Sequence, residues 1–382
     1  MVDWTEGLTR TSSLTEWEWA GIHQDHNLAD GHSHFTLPAE FSPVDRMTAI
    51  FRGLDRTSQV DDESRFADAL FGLAGQTVPV APALHYSAST SIDLAAKTLS
   101  QAGVKTVGVL TPTFDNIAQL LLRAGHELVP LDETPLKAGG EIDARLLESC
   151  DAVFLVVPNN PTGWLPEQTD LESFARQCAK TNTVLVIDFS FRFFVELDAW
   201  DQYSTLATIP GLDWIFLEDT GKTWPTAELK VGVAAASEAL RPALAEVTGE
   251  LLLNVSPFIL QLLTGIIEIE RARVSDGRGI FARQLVRGNR IVLRDVLKDS
   301  PVEFVSPTSE ISVEWLRLTD GRSSASVAAG LFAAGIAVLP GEPFFWDDRH
   351  VGEHHLRLAL ARDPEYLRAG ALRLAHQLQK AR

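Results

Sequence analysis

The sequence predicts an α/β fold built around a mainly parallel β-sheet, and residues 152–232 carry most of that prediction. Three apolar, β-branched runs follow one another there: AVFLVV, VLVI and WIFL. Each run ends in polar residues, as a buried parallel strand does when it delivers a loop at its carboxyl end. The intervals between the runs leave room for one helix each, which is the repeating strand–helix pattern of an α/β sheet.

Composition and charge exclude several classes of partner. The chain has 382 residues, 45% hydrophobic and 22% charged, with a net charge of −18 and a pI near 5.0. Because the balance is acidic and Lys and Arg form no cluster, nucleic acid and anionic membranes are not expected partners. Cys150 and Cys178 give neither a disulfide framework nor a metal spacing, which is typical of buried thiols in a reducing cytoplasm.

No targeting or membrane segment is expected. The first residues lack a basic region followed by an apolar stretch, so we predict no signal peptide. The most apolar segment, residues 251–267, is interrupted by Asn254 and Pro257. We therefore predict a buried helix there, no membrane span, and a cytoplasmic protein.

Changes in character along the chain divide it into three parts. Residues 1–35 are rich in Trp and His without a sustained amphipathic period, and we predict an arm or lid. Thr15 and Glu18 have the spacing of a capping box, which places a short helix near Glu16. Residues 36–267 form the predicted large domain, and residues 268–382 a smaller C-terminal α/β domain to which part of the N-terminal region is joined. The arm also contains an acidic residue and three histidines whose spacings fit no common metal site, so no metal is predicted: His26, Asp30, His32 and His34.

A serine- and threonine-rich segment precedes the helix IDLAAKTLSQ. Ser89 and Thr90 lie where this helix begins, and a helix N-terminus with small hydroxyl residues suits a phosphate. Plain N-capping by serine is the alternative. The position one α/β step before the central stretch favours the phosphate of a cofactor.

The central stretch places an amide, a carboxylate and a lysine after successive strands. Lys222 can form a Schiff base with an aldehyde cofactor and act as a base on the substrate Cα–H. Asp188 can pair with a pyridine nitrogen and keep it protonated, and Asn160 can donate to the ring oxygen. Together these residues predict a pyridoxal 5′-phosphate (PLP) site.

With these three residues in order, the chain resembles the fold-type I, aspartate-aminotransferase-like PLP enzymes over nearly its full length. The resemblance implies a large domain with a mainly parallel seven-stranded sheet, a smaller C-terminal α/β domain and a homodimer. It implies that Phe114 stacks on the pyridine ring and that Lys230 binds the phosphate, where many members have arginine. Arg357, in HHLRLALAR, would bind the substrate α-carboxylate.

Three longer motifs resemble a narrower group, the O2- and PLP-dependent L-arginine oxidases and hydroxylases of antibiotic pathways. They are LTEWEW with NLADGH, YSASTS with PTFDNIA, and EDTGKTWPTAELK. The resemblance implies that Thr15, Glu18 and Asp219 line the side-chain end of the substrate pocket, with Ser190 near the cofactor. Carboxylates suit a guanidinium, although Asp219 could instead only cap the following turn.

The activity implied is oxidation of L-arginine by O2 in specialised-metabolite biosynthesis. The products would be 4-hydroxy-2-ketoarginine, 2-ketoarginine or both, with ammonia and H2O2. His32 is then a candidate to position water or to manage protons, beneath a closing arm. The alternatives are a desaturase-type oxidase that yields 4,5-dehydro-2-ketoarginine and a class I/II aminotransferase. A further alternative, the effector-sensing domain of a regulator, would require an attached DNA-binding helix-turn-helix, and we expect none.

Overall fold

The computed structural model describes residue 8 and residues 12–41, 43–133, 144–196, 200–305 and 310–380. The arm contains helix α1 (Leu14–Gly21) and the short strand β1 (His26–Asn27). The helix begins earlier than predicted, because Ser13 and Glu16 form the capping box in place of Thr15 and Glu18. This register buries Leu14 on the core and leaves Thr15 and Glu18 available for other contacts.

The large domain is an α/β sandwich around a seven-stranded sheet, as predicted. Its strands are β2 (Ala83–His85), β3 (Thr106–Thr111), β4 (Glu127–Asp132), β5 (Ala152–Val156), β6 (Val184–Asp188), β7 (Trp214–Asp219) and β8 (Gly232–Ala236). Their order is β2-β8-β7-β6-β5-β3-β4, and β8 runs antiparallel to both of its neighbours while the other pairs are parallel. The fold class predicted from the sequence is confirmed.

Helices cover both faces of this sheet. They are α2 (Pro43–Gly53), α3 (Gln59–Ala74), α4 (Ala88–Gln101), α5 (Asp115–Arg123), α6 (Ala144–Glu148), α7 (Gln168–Thr181), α8 (Gln202–Ala207), α9 (Arg241–Leu251) and α10 (Pro257–Ser275). Alternate residues of one strand enter different cores, since Val186 packs in one hydrophobic cluster and Ile187 in the other. This is why the central strands are continuously apolar.

The segment 251–267 is only partly the buried helix that the sequence predicts. Helix α9 ends at Leu251 and α10 begins at Pro257, whose fixed φ suits the first turn of a helix. Between them the chain turns, and Leu253 is 96% exposed. Among the helices that the structure describes, none is both long and apolar enough to cross a bilayer.

The C-terminal part forms a smaller α/β unit. Its elements are α11 (Phe281–Leu297), β9 (Val302–Phe304), β10 (Val313–Leu318), α12 (Ser324–Ala333), β11 (Ile336–Ala337), β12 (Leu339–Pro340), β13 (His355–Ala359) and α13 (Pro364–Lys380). Strands β12-β13-β10-β9 form an antiparallel sheet, and β11 pairs with β1 of the arm. The domain division at residue 267 stays a prediction, and α10 runs through it without a break.

The arm is fixed to the body of the protein at two places. Buried Arg362 donates to the backbone oxygens of Asn27, Asp30 and His32. At the other end, the Leu14 N–H donates to Asp115 Oδ2, 3.0 Å away on α5. The arm therefore joins the C-terminal unit to the large domain, over the carboxyl ends of the central strands.

Candidate active site

The sheet register brings the predicted residues to one edge. Asp188 at the end of β6 pairs in register with Val156 at the end of β5 and with Leu217 of β7. The loops that follow β5 and β7 carry Asn160 and Lys222. The parallel strands therefore deliver all three polar groups to the same side of the sheet.

A cavity of about 940 Å³ opens at this edge. That volume suits a cofactor together with a small substrate. Eight of the predicted residues line it: Thr15, Glu18, His32, Ser89, Phe114, Asp219, Lys222 and Lys230. The other five predicted residues are not among those that line the cavity, and all of them except Thr90 are buried: Thr90, Asn160, Asp188, Ser190 and Arg357.

Lys222, after β7, and Arg357, on β13, approach the same point. A Cβ atom added to Gly31 would lie 3.7 Å from Lys222 Nζ and 3.4 Å from Arg357 Nη1. Glycine keeps this space clear. A molecule that reaches the amine of Lys222 can therefore also place a carboxylate near Arg357.

Arg357 is a buried cation with unused donors. Its Nη2 donates to Glu18 Oε1 over 2.9 Å, while Nε and Nη1 are buried and have no partner in the described part of the chain. Burial lowers the pKa of Arg357, and the Glu18 carboxylate acts in the opposite direction. A bidentate carboxylate would use one of these donors together with Nη2, the donor that Glu18 holds.

Two hydrogen bonds from Ser190 fix the orientation of the Asp188 carboxylate. The amide and the hydroxyl of Ser190 both donate to Asp188 Oδ1, over 2.8 and 2.5 Å. Burial raises the pKa of Asp188 to about 6, against these two hydrogen bonds. A cationic partner would lower that pKa again, because an opposite charge favours the ionised carboxylate.

Asn160 also has an unused polar atom. Its side chain is buried, and Oδ1 has no partner among the residues described. Buried amides are normally satisfied. Asn160 lies in the loop after β5, the strand that pairs with β6, and its Oδ1 could accept from a ligand, whereas the predicted donation to a ring oxygen would come from Nδ2.

The start of α4 has the geometry of a capped helix that faces the cavity. Ser87 is the N-cap and its Oγ accepts from the Thr90 N–H over 3.1 Å, while Ser89 Oγ accepts from Asn116 Nδ2 over 3.0 Å. The capping alternative is therefore real for Ser87 and Thr90. It does not remove Ser89 from the cavity wall, where the positive end of the helix suits an anion.

His32 belongs to a charged network that the sequence did not predict. Asp30 Oδ1 accepts from His32 Nδ1 over 2.7 Å, and Asp30 Oδ2 accepts from His34 Nε2 over 2.6 Å. Burial opposes the charge on Asp30, but the two histidine hydrogen bonds outweigh it and hold the pKa of Asp30 well below its usual range. Since an ionised carboxylate can only accept, His32 carries its proton on Nδ1, and Nε2 accepts from Lys230 Nζ over 3.0 Å.

Lys230 and Glu228 complete that network. Lys230 Nζ donates to Glu228 Oε2 over 2.5 Å. Ligand atoms of Asp30, His32 and Glu228 lie within 4.8 Å of one another, a spacing open to a metal ion. The ammonium of Lys230 lies among them and supplies the positive charge that this acidic group needs.

Asp219 shows both features that the sequence left open. Its Oδ1 accepts from the Gly221 N–H over 2.9 Å, which caps the turn before Lys222. The same residue lines the cavity. Capping one oxygen holds the carboxylate in position and does not exclude a second contact.

Several cavity residues were missed by sequence reasoning. Asp30 was considered individually only as a metal ligand, and no role was predicted for Glu228, Asn116 or Arg362, although the quoted motifs contain them. The alternation in AELK, with Glu228 two residues before Lys230, could have indicated their pairing. Nothing local could have indicated Asn116 or Arg362, because their contacts depend on tertiary packing.

The comparisons with known proteins identify the family and the fold. The model of the family "Aminotransferase class I and II" matches residues 43–374. A solved structure of MppP soaked with the product 2-ketoarginine is 34% identical with a TM-score of 0.85, over 92% of this chain and 99% of that one. Aspartate aminotransferase from Thermus thermophilus, with maleate, shows the same fold at 19% identity and a TM-score of 0.75, over 97% of this chain and all of that one. Threonine-phosphate decarboxylase of Pseudomonas aeruginosa is 30% identical over 185 residues, which are 46% of this chain and about half (51%) of that relative.

Proposed function

Because this chain belongs to the aminotransferase class I and II family of fold-type I PLP enzymes, we propose that it catalyses the PLP- and O2-dependent oxidation of L-arginine. The products are 2-ketoarginine, 4-hydroxy-2-ketoarginine or both, with ammonia and H2O2. The observation that carries this proposal is one cavity that contains Lys222 together with the carboxylates of Glu18 and Asp219. The likeness to MppP, with its product 2-ketoarginine, supports it.

The charges of the cavity match the two ends of arginine. Arg357 offers unused donors to an α-carboxylate. Glu18 and Asp219 offer acceptors to a guanidinium, which binds carboxylates better than neutral groups do. Lys222 Nζ and Arg357 Nη1 lie close to the same point beside Gly31. Lys222 can therefore act on the Cα–H of an amino acid whose α-carboxylate is bound by Arg357.

The residues fit PLP, since the cavity contains the amine of Lys222 for an aldehyde, and the buried carboxylate of Asp188, whose pKa burial raises, has no ion-pair partner among the residues described and could take a protonated pyridine nitrogen as one. When bound, PLP supplies an electron sink that makes the substrate Cα–H acidic. The residues that would hold it are Ser89, Thr90, Phe114, Asn160, Asp188, Ser190, Lys222 and Lys230. Asp188 would keep the pyridine nitrogen protonated, and Ser190 orients Asp188 for that contact.

The oxidation balances without a further cofactor. Arginine, one O2 and one water give 2-ketoarginine, ammonia and H2O2. A second O2 and a second water give 4-hydroxy-2-ketoarginine and a second H2O2. O2 is reduced at each stage, and water supplies both the keto oxygen and the hydroxyl oxygen.

Lys222 and His32 are the two residues that would transfer protons. Lys222 Nζ would take the proton from the substrate Cα. His32 has its Nδ1 proton fixed by Asp30, which leaves Nε2 as the nitrogen that can accept a proton from water once Lys230 releases it. The arm covers the cavity with Thr15 and Glu18 and would limit access of bulk water.

The test is incubation of the purified, PLP-loaded protein with L-arginine in air, without any 2-oxo acid. We expect O2 uptake, H2O2 and a keto acid in the mass spectrum. Turnover only on addition of a 2-oxo acid, with no O2 uptake, would instead identify an aminotransferase. A product with the mass of 4,5-dehydro-2-ketoarginine and no hydroxylated product would identify the desaturase-type oxidase.

A further inference from the structure

Glu18 forms an ion pair with Arg357, the residue that would bind the substrate carboxylate. Its Oε1 accepts from Arg357 Nη2 over 2.9 Å and from the Gly31 N–H over 3.2 Å. Arg357 is fully buried, and its other donors, Nε and Nη1, have no partner among the residues described. Glu18 therefore balances the charge of Arg357 while it leaves most of the guanidinium unused.

The same glutamate is part of the cavity wall. Thr15, Glu18 and Trp19 lie three and four positions apart on α1, so they share the helix face that lines the cavity. Arg357 does not line it. The carboxylate of Glu18 thus stands between the cavity and the guanidinium, on a side chain with freely rotating bonds.

We propose that Glu18 is an exchangeable counter-ion that determines substrate specificity, an inference that rests on the proposed function. The α-carboxylate of the substrate displaces Glu18 from Arg357. The displaced carboxylate, whose side chain is only 16% exposed, then needs a new cationic partner. The guanidinium of arginine supplies that partner, whereas an amino acid with a neutral side chain leaves Glu18 unpaired.

Counting charges shows why the two ends of the substrate are coupled. In the resting protein Glu18 and Arg357 neutralise each other. Arginine binding replaces this pair by two new pairs, so every charge keeps a partner. L-Citrulline, which is neutral at the side-chain end, leaves Glu18 alone. Agmatine lacks the carboxylate, so its guanidinium either has Asp219 alone as a partner or takes Glu18 and leaves Arg357 unpaired.

The first experiment needs only the unmodified PLP-loaded protein. Apparent dissociation constants are measured without O2, from the absorbance change of the bound cofactor, for L-arginine, L-citrulline, agmatine and N-carbamoylputrescine. N-Carbamoylputrescine has neither the carboxylate nor the guanidinium, citrulline has only the carboxylate, and agmatine has only the guanidinium. Each single addition should increase the affinity little. Adding both should exceed the product of the two single gains by roughly tenfold or more, the scale of a hydrogen bond to a charged group. Additive gains would overturn the proposal.

The second experiment removes the charge of Glu18. In Glu18→Gln, arginine should bind roughly tenfold to a hundredfold more weakly, while citrulline should bind about tenfold more tightly, because Arg357 is released and no carboxylate is left unpaired. The matched control is Glu16→Gln on the same helix, where Gln can keep the capping contact with Ser13, and both ligands should bind as they do to the unmodified protein.

These outcomes separate this inference from the proposed function, because binding is measured without O2 and oxidation in air. Coupled binding without oxidation of arginine would leave the exchange in place and overturn only the oxidase. Oxidation of arginine by a protein whose Glu18→Gln variant binds citrulline no more tightly would overturn the exchange alone.

Discussion

Lys222 is the residue on which the proposed chemistry depends most directly. Lys222→Ala should remove the absorbance of the cofactor Schiff base and lower turnover by roughly 10²–10⁴-fold or more, since it deletes both the attachment point and the base. Lys97→Ala is the matched control, because Lys97 pairs with Asp93 on helix α4 and is not among the residues that line the cavity. Spectra and steady-state rates of both variants are the measurement, and normal turnover in Lys222→Ala would remove Lys222 from the site.

His32 is expected to affect which product forms more than whether arginine binds. With its Nδ1 proton held by Asp30, Nε2 is the nitrogen that can manage water. His32→Ala should shift the product ratio from 4-hydroxy-2-ketoarginine toward 2-ketoarginine by about tenfold, equivalent to ~1.4 kcal/mol in the competing barriers. His23→Ala, an exposed histidine of the same arm, is the control. The product ratio and the O2 consumed per arginine decide it, and an unchanged ratio would contradict the role of His32.

At the scale of elements, the docking of α1 should depend on pH through Asp115. Burial raises the pKa of this carboxyl to about 7, opposed by the Leu14 hydrogen bond and by Arg349, while Glu18 and Glu16 add to the rise. In an undocked arm the exposed carboxyl would return toward its ordinary value of 3.8. Because docking favours the protonated form, it should be strongest below that value and weaken by up to about tenfold per pH unit as pH rises toward 7.

Asp115→Asn tests this dependence, since an amide oxygen can still accept from the Leu14 N–H. Hydrogen exchange of the α1 amides, compared between the two proteins at pH 5.5 and 7.5, is the measurement. Burial lowers the pKa of His26 from its ordinary value of 6.5, so His26 should weaken docking as the pH falls below that value. Because His26 is present in both proteins, the difference between them isolates the effect of Asp115. Equal protection of α1 in both proteins at both pH values would exclude Asp115 as the cause.

The approach of β8 to the start of α4 depends on a glycine. A Cβ at Gly232 would lie 2.3 Å from the backbone oxygen of Ser87, so Gly232→Ala must displace the loop that caps α4. We expect a loss of about 1–3 kcal/mol in unfolding free energy and weaker PLP binding. Gly249→Ala in α9, where an added Cβ meets nothing within 4 Å, should instead stabilise by ~0.5–1 kcal/mol. Denaturant unfolding with and without PLP compares them, and equal effects would contradict the argument.

At the scale of the whole molecule, we predict a homodimer. Leu253, Phe51 and Val60 are 96%, 70% and 73% exposed, and the ring of Phe51 lies 6.2 Å from that of Phe258. Asn254 and Val255 are hydrogen-bonded to Gln59, which brings these apolar side chains to one face. An exposed apolar patch of this kind indicates an interface.

Leu253→Asp should therefore weaken the dimer, because it places a charge in an apolar contact. Ile291→Asp is the matched control, as Ile291 is also exposed but lies on α11. Sedimentation velocity over a range of protein concentrations measures both. A monomeric unmodified protein that is fully active would contradict the homodimer, and equal dissociation of both variants would contradict this surface.

Much of the fold could be predicted because local pattern and tertiary position coincide in the central strands. Runs such as VLVI are apolar on both faces only when helices cover both sides of the sheet, and the polar residue that ends each run must lie at its carboxyl edge. Residues in long motifs beside those strands, such as Asp188 and Lys222, could be found in the same way. The Ser13–Glu16 cap was missed because two overlapping sequences satisfy the same capping pattern, and burial of Leu14 selects between them.

The sequence by itself determined the fold class and the order of the strands' polar ends, since strand periodicity and loop position are local properties, and it predicts the residues that we propose to hold PLP. Only the tertiary structure decided three contacts. Glu18 pairs with Arg357, Lys230 bonds to both His32 and Glu228, and Asp115 accepts a hydrogen bond from the first residue of α1. These contacts join residues far apart in the chain. Charge alone allows many pairings, and the packing of the arm between α5 and the segment after β13 selects among them.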